Sequence, residues 1–95
     1  MSTPFELPSE ITIYSVMETR DALLAWVTEQ LAQSSKLLEV SATQVQVVDG
    51  AGLQLLLALS NMGQPWRLRN PSEALQNACR TLGLDTWIST AAADA

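Results

Sequence analysis

The chain has 95 residues, of which 47% are apolar and 16% charged, so it has room for one domain with one modest core. Ten acidic residues oppose five basic ones, and the formal net charge of −5 makes nucleic acid and anionic membrane surfaces unfavourable partners. The chain contains no histidine, which removes the usual neutral-pH general base and most transition-metal sites. The composition therefore favours a binding protein over an enzyme, with no cofactor and no metal.

The cysteine content and the first residues indicate in which cellular compartment the protein is expected. The single cysteine, Cys79, cannot form an internal disulfide, which fits a reducing environment. The stretch from Met1 to Glu6 has neither the basic start nor the apolar run of a signal peptide. No segment approaches the roughly 18 uninterrupted apolar residues of a membrane span. We expect a cytoplasmic protein that does not insert into a membrane.

The first elements are a short strand and an amphipathic helix. Ile11 to Tyr14 is β-branched and aromatic, which predicts a strand. Ser15 to Glu18 has the Ser-x-x-Glu form of a capping box and predicts the start of a helix of roughly 18 residues. The apolar positions of this helix recur at i, i+4 and i+8, at Leu23, Val27 and Leu31.

The middle of the chain predicts two extended segments and a second helix. Lys36 to Val40 reads as a strand, and Val45 to Val48 as an extended or irregular segment. Asp49 to Gly52 then leads into Leu53 to Leu59, where leucine and alanine favour a helix over a strand.

The last third predicts one more strand and one more helix. Trp66 to Arg69 alternates apolar and basic residues, the period of a strand with one covered face. Asn70 to Glu73 predicts a helix start with Asn70 as the cap and proline at the first helical position. Gly83 followed by Leu84 predicts a Schellman stop, and residues 91–95 read as a flexible tail. The order of elements predicts an α/β domain with helices packed on a sheet.

The sequence Asp49-Gly50-Ala51-Gly52 is the strongest candidate for a site. An aspartate is a good helix cap, and two glycines let the backbone turn sharply and expose N–H groups to a ligand or partner. A plain strand-to-helix turn with a capping aspartate is the simpler interpretation from spacing alone. The segment is not a phosphate-binding P-loop, because no Gly-Lys-Ser/Thr follows.

The helix after this turn is apolar on two sides. Leu53, Leu56 and Leu57 form one stripe that suits the sheet. A second stripe, about 180° away by the helical step, consists of Ala51, Leu55, Ala58, Leu59 and Met62. Either a neighbouring helix covers the second stripe or it presents an adhesive face to a partner, and the sequence leaves both open.

These motifs together resemble the STAS domain, the fold of bacterial anti-sigma factor antagonists. Val45 to Leu56 is similar to the family's apolar-Asp-Ser/Thr-x-Gly-Leu signature, and Arg69 to Glu73 and Leu82-Gly83-Leu84 also match. The resemblance covers nearly the whole chain and implies one domain over residues 1–90, with a mixed β-sheet and helices mainly on one face. Within the family, the sequence of this motif is most similar to that of small stand-alone members. Those members are associated with chemosensory gene sets and with a phospholipid-transport ABC ATPase.

The resemblance implies a partner-switching regulatory module without an active site. Its partner would be a protein, namely an anti-sigma factor that doubles as a serine kinase, a chemosensory protein, or an ABC ATPase. The implied contact residues follow the family's docking loop and helix start, and they are Asp49, Gly50, Ala51, Gly52, Leu53, Leu55 and Leu59.

Two positions depart from the family pattern. Gly50 stands where members carry the serine or threonine that receives phosphate, so the resemblance implies that the usual acceptor is lost. Ser41 stands where many members have an aspartate, and it is the possible substitute acceptor. A competing hypothesis is a small-ligand or nucleotide sensor that holds an anion on the N–H groups of residues 50–52, although no basic residue lies beside this loop.

Overall fold

The computed structural model describes residues 4–33 and 36–92. In chain order its elements are β1 (Phe5–Glu6), β2 (Glu10–Ile11), α1 (Val16–Ala32), β3 (Leu38–Ser41), β4 (Val47–Val48), α2 (Gly50–Ser60), β5 (Trp66–Arg69), α3 (Glu73–Thr81) and α4 (Asp85–Ala92). No helix in the described part of the chain is both long and apolar enough to span a bilayer.

The strands form two small parallel arrangements. β1, β3 and β5 make a three-stranded sheet with β3 in the centre, and β2 pairs with β4. Each pairing among the described residues is parallel, because helices return the chain to the same end before the next strand begins. The expected α/β fold class is therefore confirmed, while the expected mixed sheet is corrected to a parallel one.

The core lies between these strands and the helices. α1 contributes Leu23 and Val27, and β3 contributes Leu38 and Val40, all of them buried. The remaining large buried side chains come from the other elements and loops: Leu7, Ile11, Val45, Leu53, Leu56, Leu59, Leu68, Leu75, Cys79 and Ile88. Burial of these side chains is the main favourable contribution to the stability of so short a chain.

The strand predicted over Ile11 to Tyr14 is wrong beyond its first residue. β2 ends at Ile11, and residues 12–15 form a turn in which the N–H of Ser15 donates to the carbonyl of Thr12 at 2.9 Å. Ser15 does precede α1 as predicted, but no capping box forms. Its hydroxyl instead accepts from the N–H of Thr12 and donates to the carbonyl of Glu10, both at 3.1 Å, because the turn places those groups nearer.

The start of α3 also differs from the prediction. Ser72, and not Asn70, is the cap, and its hydroxyl accepts from the N–H of Leu75 at 3.1 Å. Asn70 has φ +49° and turns the chain out of β5, a conformation that asparagine tolerates better than most residues. Glu73 therefore takes the first helical position that had been expected for proline.

The Schellman stop at the end of α3 is confirmed. The N–H of Gly83 donates to the carbonyl of Arg80 at 3.2 Å, and the N–H of Leu84 donates to that of Cys79 at 2.7 Å. Gly83 has φ +74°, the left-handed conformation that this motif requires.

The last helix, α4, was not predicted. It packs on β5, where the ring of Trp87 lies 6.1 Å from that of Trp66 and its indole N–H donates to the hydroxyl of Ser60 at 3.3 Å. Ala91 is buried in the last turn of α4, so the expected tail does not begin at residue 91. Residues 93–95 of that tail lie outside the described residues.

Cys79 provides a test of this core. Its side chain is 0% exposed, and burial, with a smaller contribution from the carboxylate of Asp85, raises the pKa of the thiol. Since the reactive species is an accessible thiolate, the native protein must open before a disulfide reagent can react. We expect dithiobis-nitrobenzoate at pH 8 to react about 100-fold or more slowly with the folded chain than with the chain in urea. Equal rates in the two states would contradict the position of α3.

Candidate functional site

Asp49 connects two segments that are far apart in the chain. It caps α2, with Oδ1 accepting from the N–H of Gly52 at 3.1 Å. Its other carboxylate oxygen, Oδ2, accepts from the N–H of Ile13 at 3.0 Å, in the turn between β2 and α1. The backbone N–H of Asp49 also donates to the carbonyl of Ile11 at 3.3 Å. One side chain thus fixes the start of α2 against the turn of residues 12–15.

These hydrogen bonds favour the ionised form of Asp49. The N–H of Ile13, followed by that of Gly52, lowers the pKa of the Asp49 carboxyl below its ordinary value of 3.8. Asp49 is therefore ionised at neutral pH. Its carboxylate already accepts from the start of α2, where an anionic ligand would otherwise bind.

The two glycines in this turn have different surroundings. A Cβ on Gly52 would collide with the carbonyl oxygen and side chain of Ile11 and with the side chain of Val48, so a glycine is required for the close approach of β2. A Cβ on Gly50 would have no neighbour within 4 Å, and Gly50 is exposed. Gly50, the residue expected at the phospho-acceptor position, is therefore open to solvent.

Exposed apolar side chains lie in and around the turn whose amide binds the carboxylate, and sequence reasoning missed them. Tyr14 is 97% exposed and Ile13 is 66% exposed, in the same turn whose amide binds Asp49. Met17, in the first turn of α1, and Val47, in β4, are also exposed. The strand predicted over residues 11–14 had assigned part of this group to a sheet. We define the loop surface as Ile13, Tyr14, Asp49 and Gly50.

The second apolar stripe of α2 is partly covered by α1. The residues of α2 that are buried are Gly52, Leu53, Leu56 and Leu59. Leu55 is half-buried, whereas Ala58 and the following Met62 are exposed. The second stripe is therefore covered at Leu59 and exposed at Ala58 and Met62, so the alternative of full cover by a neighbouring helix is wrong at those two positions and the partner face stays a prediction.

Burial separates the residues that had been expected to contact a partner. Asp49, Gly50, Ala51 and Leu55 retain exposed surface. Gly52, Leu53 and Leu59 are buried, with Leu53 1% and Leu59 3% exposed, so their role is to support the turn and helix from within. Direct contact with another macromolecule is available only to the first group.

Ser41 has a different environment from the loop surface. It is 8% exposed at the end of β3, and its hydroxyl lies 3.1 Å from that of Thr43. A buried and hydrogen-bonded hydroxyl is a poor acceptor for a kinase, which must reach the oxygen from outside. The substitute role considered for Ser41 thus finds no support in its burial.

Comparisons with known proteins give one informative likeness. No protein-family model matches the chain, and no curated protein matches it. Among solved structures, the chain matches an anti-sigma factor antagonist with a TM-score of 0.60 over 92% of this chain and 80% of the other, at 20% sequence identity. The expected resemblance is therefore confirmed at the level of the fold, which is the STAS fold. The matched protein is SpoIIAA in its unphosphorylated form.

The two glycines provide a matched pair of stability tests. Gly50→Ala is expected to raise the free energy of unfolding by about 0.5 kcal/mol, because alanine restricts the unfolded chain and meets nothing in the folded one. Gly52→Ala is expected to lower it by about 2 kcal/mol or more, because the new methyl group displaces β2. Urea denaturation measures both. Equal effects of the two substitutions would contradict the close approach of Ile11 to α2.

The charge of Asp49 predicts a pH dependence. A carboxyl group whose pKa is lowered in the folded state stabilises the fold above its unfolded value, here 3.8, and that contribution is lost as the pH falls through the folded value. Asp49→Asn removes the charge and one acceptor, so it should be less stable than the parent at pH 7. The difference should shrink below about pH 4.

Urea denaturation between pH 7 and pH 3 measures this difference. Asp21→Asn, which removes a carboxylate from an exposed position on α1, is the control for the loss of one surface charge. A difference between the parent and Asp49→Asn that stays constant with pH would contradict the assignment.

Proposed function

We propose that the chain is a non-enzymatic regulatory module that binds a partner protein through its loop surface and the exposed part of α2. The observation that carries the proposal is the juxtaposition of Ile13 and Tyr14, both largely exposed, with the ionised carboxylate of Asp49, to which the Ile13 amide is hydrogen-bonded. Exposed large apolar side chains grouped beside a fixed charge are typical of interaction sites.

Order in this turn favours binding. The carboxylate of Asp49 holds the Ile13 amide at 3.0 Å, so the turn does not have to be ordered when a partner arrives. Tyrosine is also among the residues that most often dominate interface energies, because it buries a large area with few rotatable bonds. These two features support Tyr14 as the main contact.

The STAS fold that the chain shares with an anti-sigma factor antagonist supports a regulatory role. Since Gly50 offers no hydroxyl at the position after the aspartate, we expect this surface not to be switched by phosphorylation there. The module would then be permanently competent to bind. An anti-sigma kinase, a chemosensory protein and an ABC ATPase remain the candidate partners.

The nucleotide-sensor hypothesis is less well supported. The N–H of Gly52, which would have to hold a phosphate, donates to the carboxylate of Asp49. A phosphate at this position would also lie beside the negative charge of that carboxylate. Both features disfavour an anion at the start of α2.

Partner capture tests the proposed surface. The tagged full chain is expected to co-purify a partner from its native cell, and Tyr14→Ser should reduce the yield at least about tenfold, as for a dominant interface residue. Gly50→Asp should also reduce it, because it places a second negative charge beside Asp49, as a phosphate would.

The control for this experiment is Leu82→Ser, which removes an apolar side chain that is 55% exposed at the end of α3 and should leave the yield unchanged. Circular dichroism establishes that each variant is folded. Undiminished capture by Tyr14→Ser would refute the loop surface as the docking site.

A further inference from the structure

A row of exposed apolar side chains runs along α1. Met17, Leu24 and Leu31 are 57%, 44% and 40% exposed, and they repeat every seven residues. A seven-residue repeat places side chains almost in line along a helix, since two turns take about 7.2 residues. With a rise of about 1.5 Å per residue, the row is about 21 Å long.

An apolar cleft between α1 and α2 adjoins this row. It has a volume of about 230 Å³. Its lining residues are Arg20, Leu23, Leu24 and Val27 from α1 together with Leu55, Ala58, Leu59 and Met62 from and just after α2. Leu24 belongs to both the row and the cleft. We define the groove surface as Met17, Leu24, Leu31, Ala58 and Met62, the exposed apolar members of these two sets.

The dimensions of the groove surface favour an elongated occupant. The cleft is smaller than the roughly 300–1,000 Å³ of common small-molecule sites. The row extends beyond it, because Met17 and Leu31 do not line the cleft. An amphipathic α-helix presents apolar side chains every three to four residues, so it can meet the row and fill the cleft along its whole length.

Charge selects between possible helices. α1 carries three acidic residues and one basic residue, Arg20, whose guanidinium lies 3.8 Å from the adjacent carboxylate of Asp21. α2 carries no charged residue. A second copy of this chain would bring a net charge of −5 against an equal charge, which disfavours self-association. A helix with a basic polar face is attracted by the same field.

We infer that the groove surface binds an amphipathic helix of a partner protein. The apolar face of that helix packs on α1 and α2, and its polar face is basic and points to solvent. This inference rests on the proposed function, because it names the kind of segment that a protein partner would supply. It shares the exposed part of α2 with the proposed function, but its residues on α1 are separate from the loop surface, so variants of Leu24 and Tyr14 distinguish the failure of one from the failure of the other.

A model peptide tests the inference without knowledge of the natural partner. The probe is an 18-residue peptide of leucine and lysine with leucine at heptad positions a and d, about 27 Å long as a helix. One control peptide has the same composition in scrambled order, and another has glutamate in place of lysine. Titration calorimetry with the full chain is expected to show binding at least about tenfold tighter for the patterned lysine peptide than for either control.

Matched variants locate the peptide. Leu24→Gln and Met62→Gln remove apolar surface without adding charge, and each should weaken binding about fivefold or more, whereas Leu82→Gln outside the groove should not. Tyr14→Ser should also leave peptide binding unchanged. Loss of natural partner capture in Tyr14→Ser together with unaltered peptide binding by Leu24→Gln would overturn the groove inference alone.

Three other results would overturn the inference. If the scrambled peptide bound as tightly as the patterned lysine peptide, the binding would be due to charge attraction and not to an apolar helix face. Tighter binding of the glutamate peptide would reverse the expected polarity of the partner. Binding of dodecanoate that Leu24→Gln abolishes, with no binding of the patterned peptide, would identify the cleft as a site for an alkyl chain.

Discussion

The arrangement of the candidate site depends on the carboxylate of Asp49, which accepts hydrogen bonds from the start of α2 and from the turn between β2 and α1. Each oxygen has a separate task, so neither segment can move without losing a charge-assisted hydrogen bond. The close packing of Gly52 on Ile11 makes this bridge possible, because any larger residue would separate α2 from β2. Residues 49–52 therefore meet two requirements at once: Gly52 allows the close packing on β2, and Asp49 supplies the charge that binds the two segments.

The same carboxylate constrains what the turn can recognise. The start of a helix attracts anions, and here the carboxylate of Asp49 already occupies that position by accepting from the N–H of Gly52. A partner approaching the loop surface consequently meets a negative charge, an open backbone at Gly50 and the apolar side chains of Ile13 and Tyr14. This combination suits a protein surface with an apolar pocket better than it suits a free phosphate compound.

Sequence reasoning succeeded where the determining interactions are local. The aspartate cap of α2, the strand Trp66–Arg69 and the Schellman stop at Gly83 all depend on residues within a few positions of one another. It failed over Ile11 to Tyr14, because one hydrogen bond that holds this turn runs from the Ile13 N–H to the carboxylate of Asp49, 36 residues away. β-branched composition indicates a preference for extended backbone, and it cannot reveal that the partner strand β4 has only two residues.

The apolar residues of α2 have two roles in the fold, since some complete the core and others line the cleft beside α1. Leu53, Leu56 and Leu59 complete the core, while Leu55 and Ala58 line the cleft that α1 leaves partly open. Because α2 has no charged side chain, electrostatic selectivity must come from elsewhere. In the proposed interactions it would come from Asp49 at the loop surface and from the acidic residues of α1 at the groove surface. The two proposed surfaces would therefore select partners through different side chains, and each joins residues at or near α2 to residues of the turn before α1 or of α1 itself.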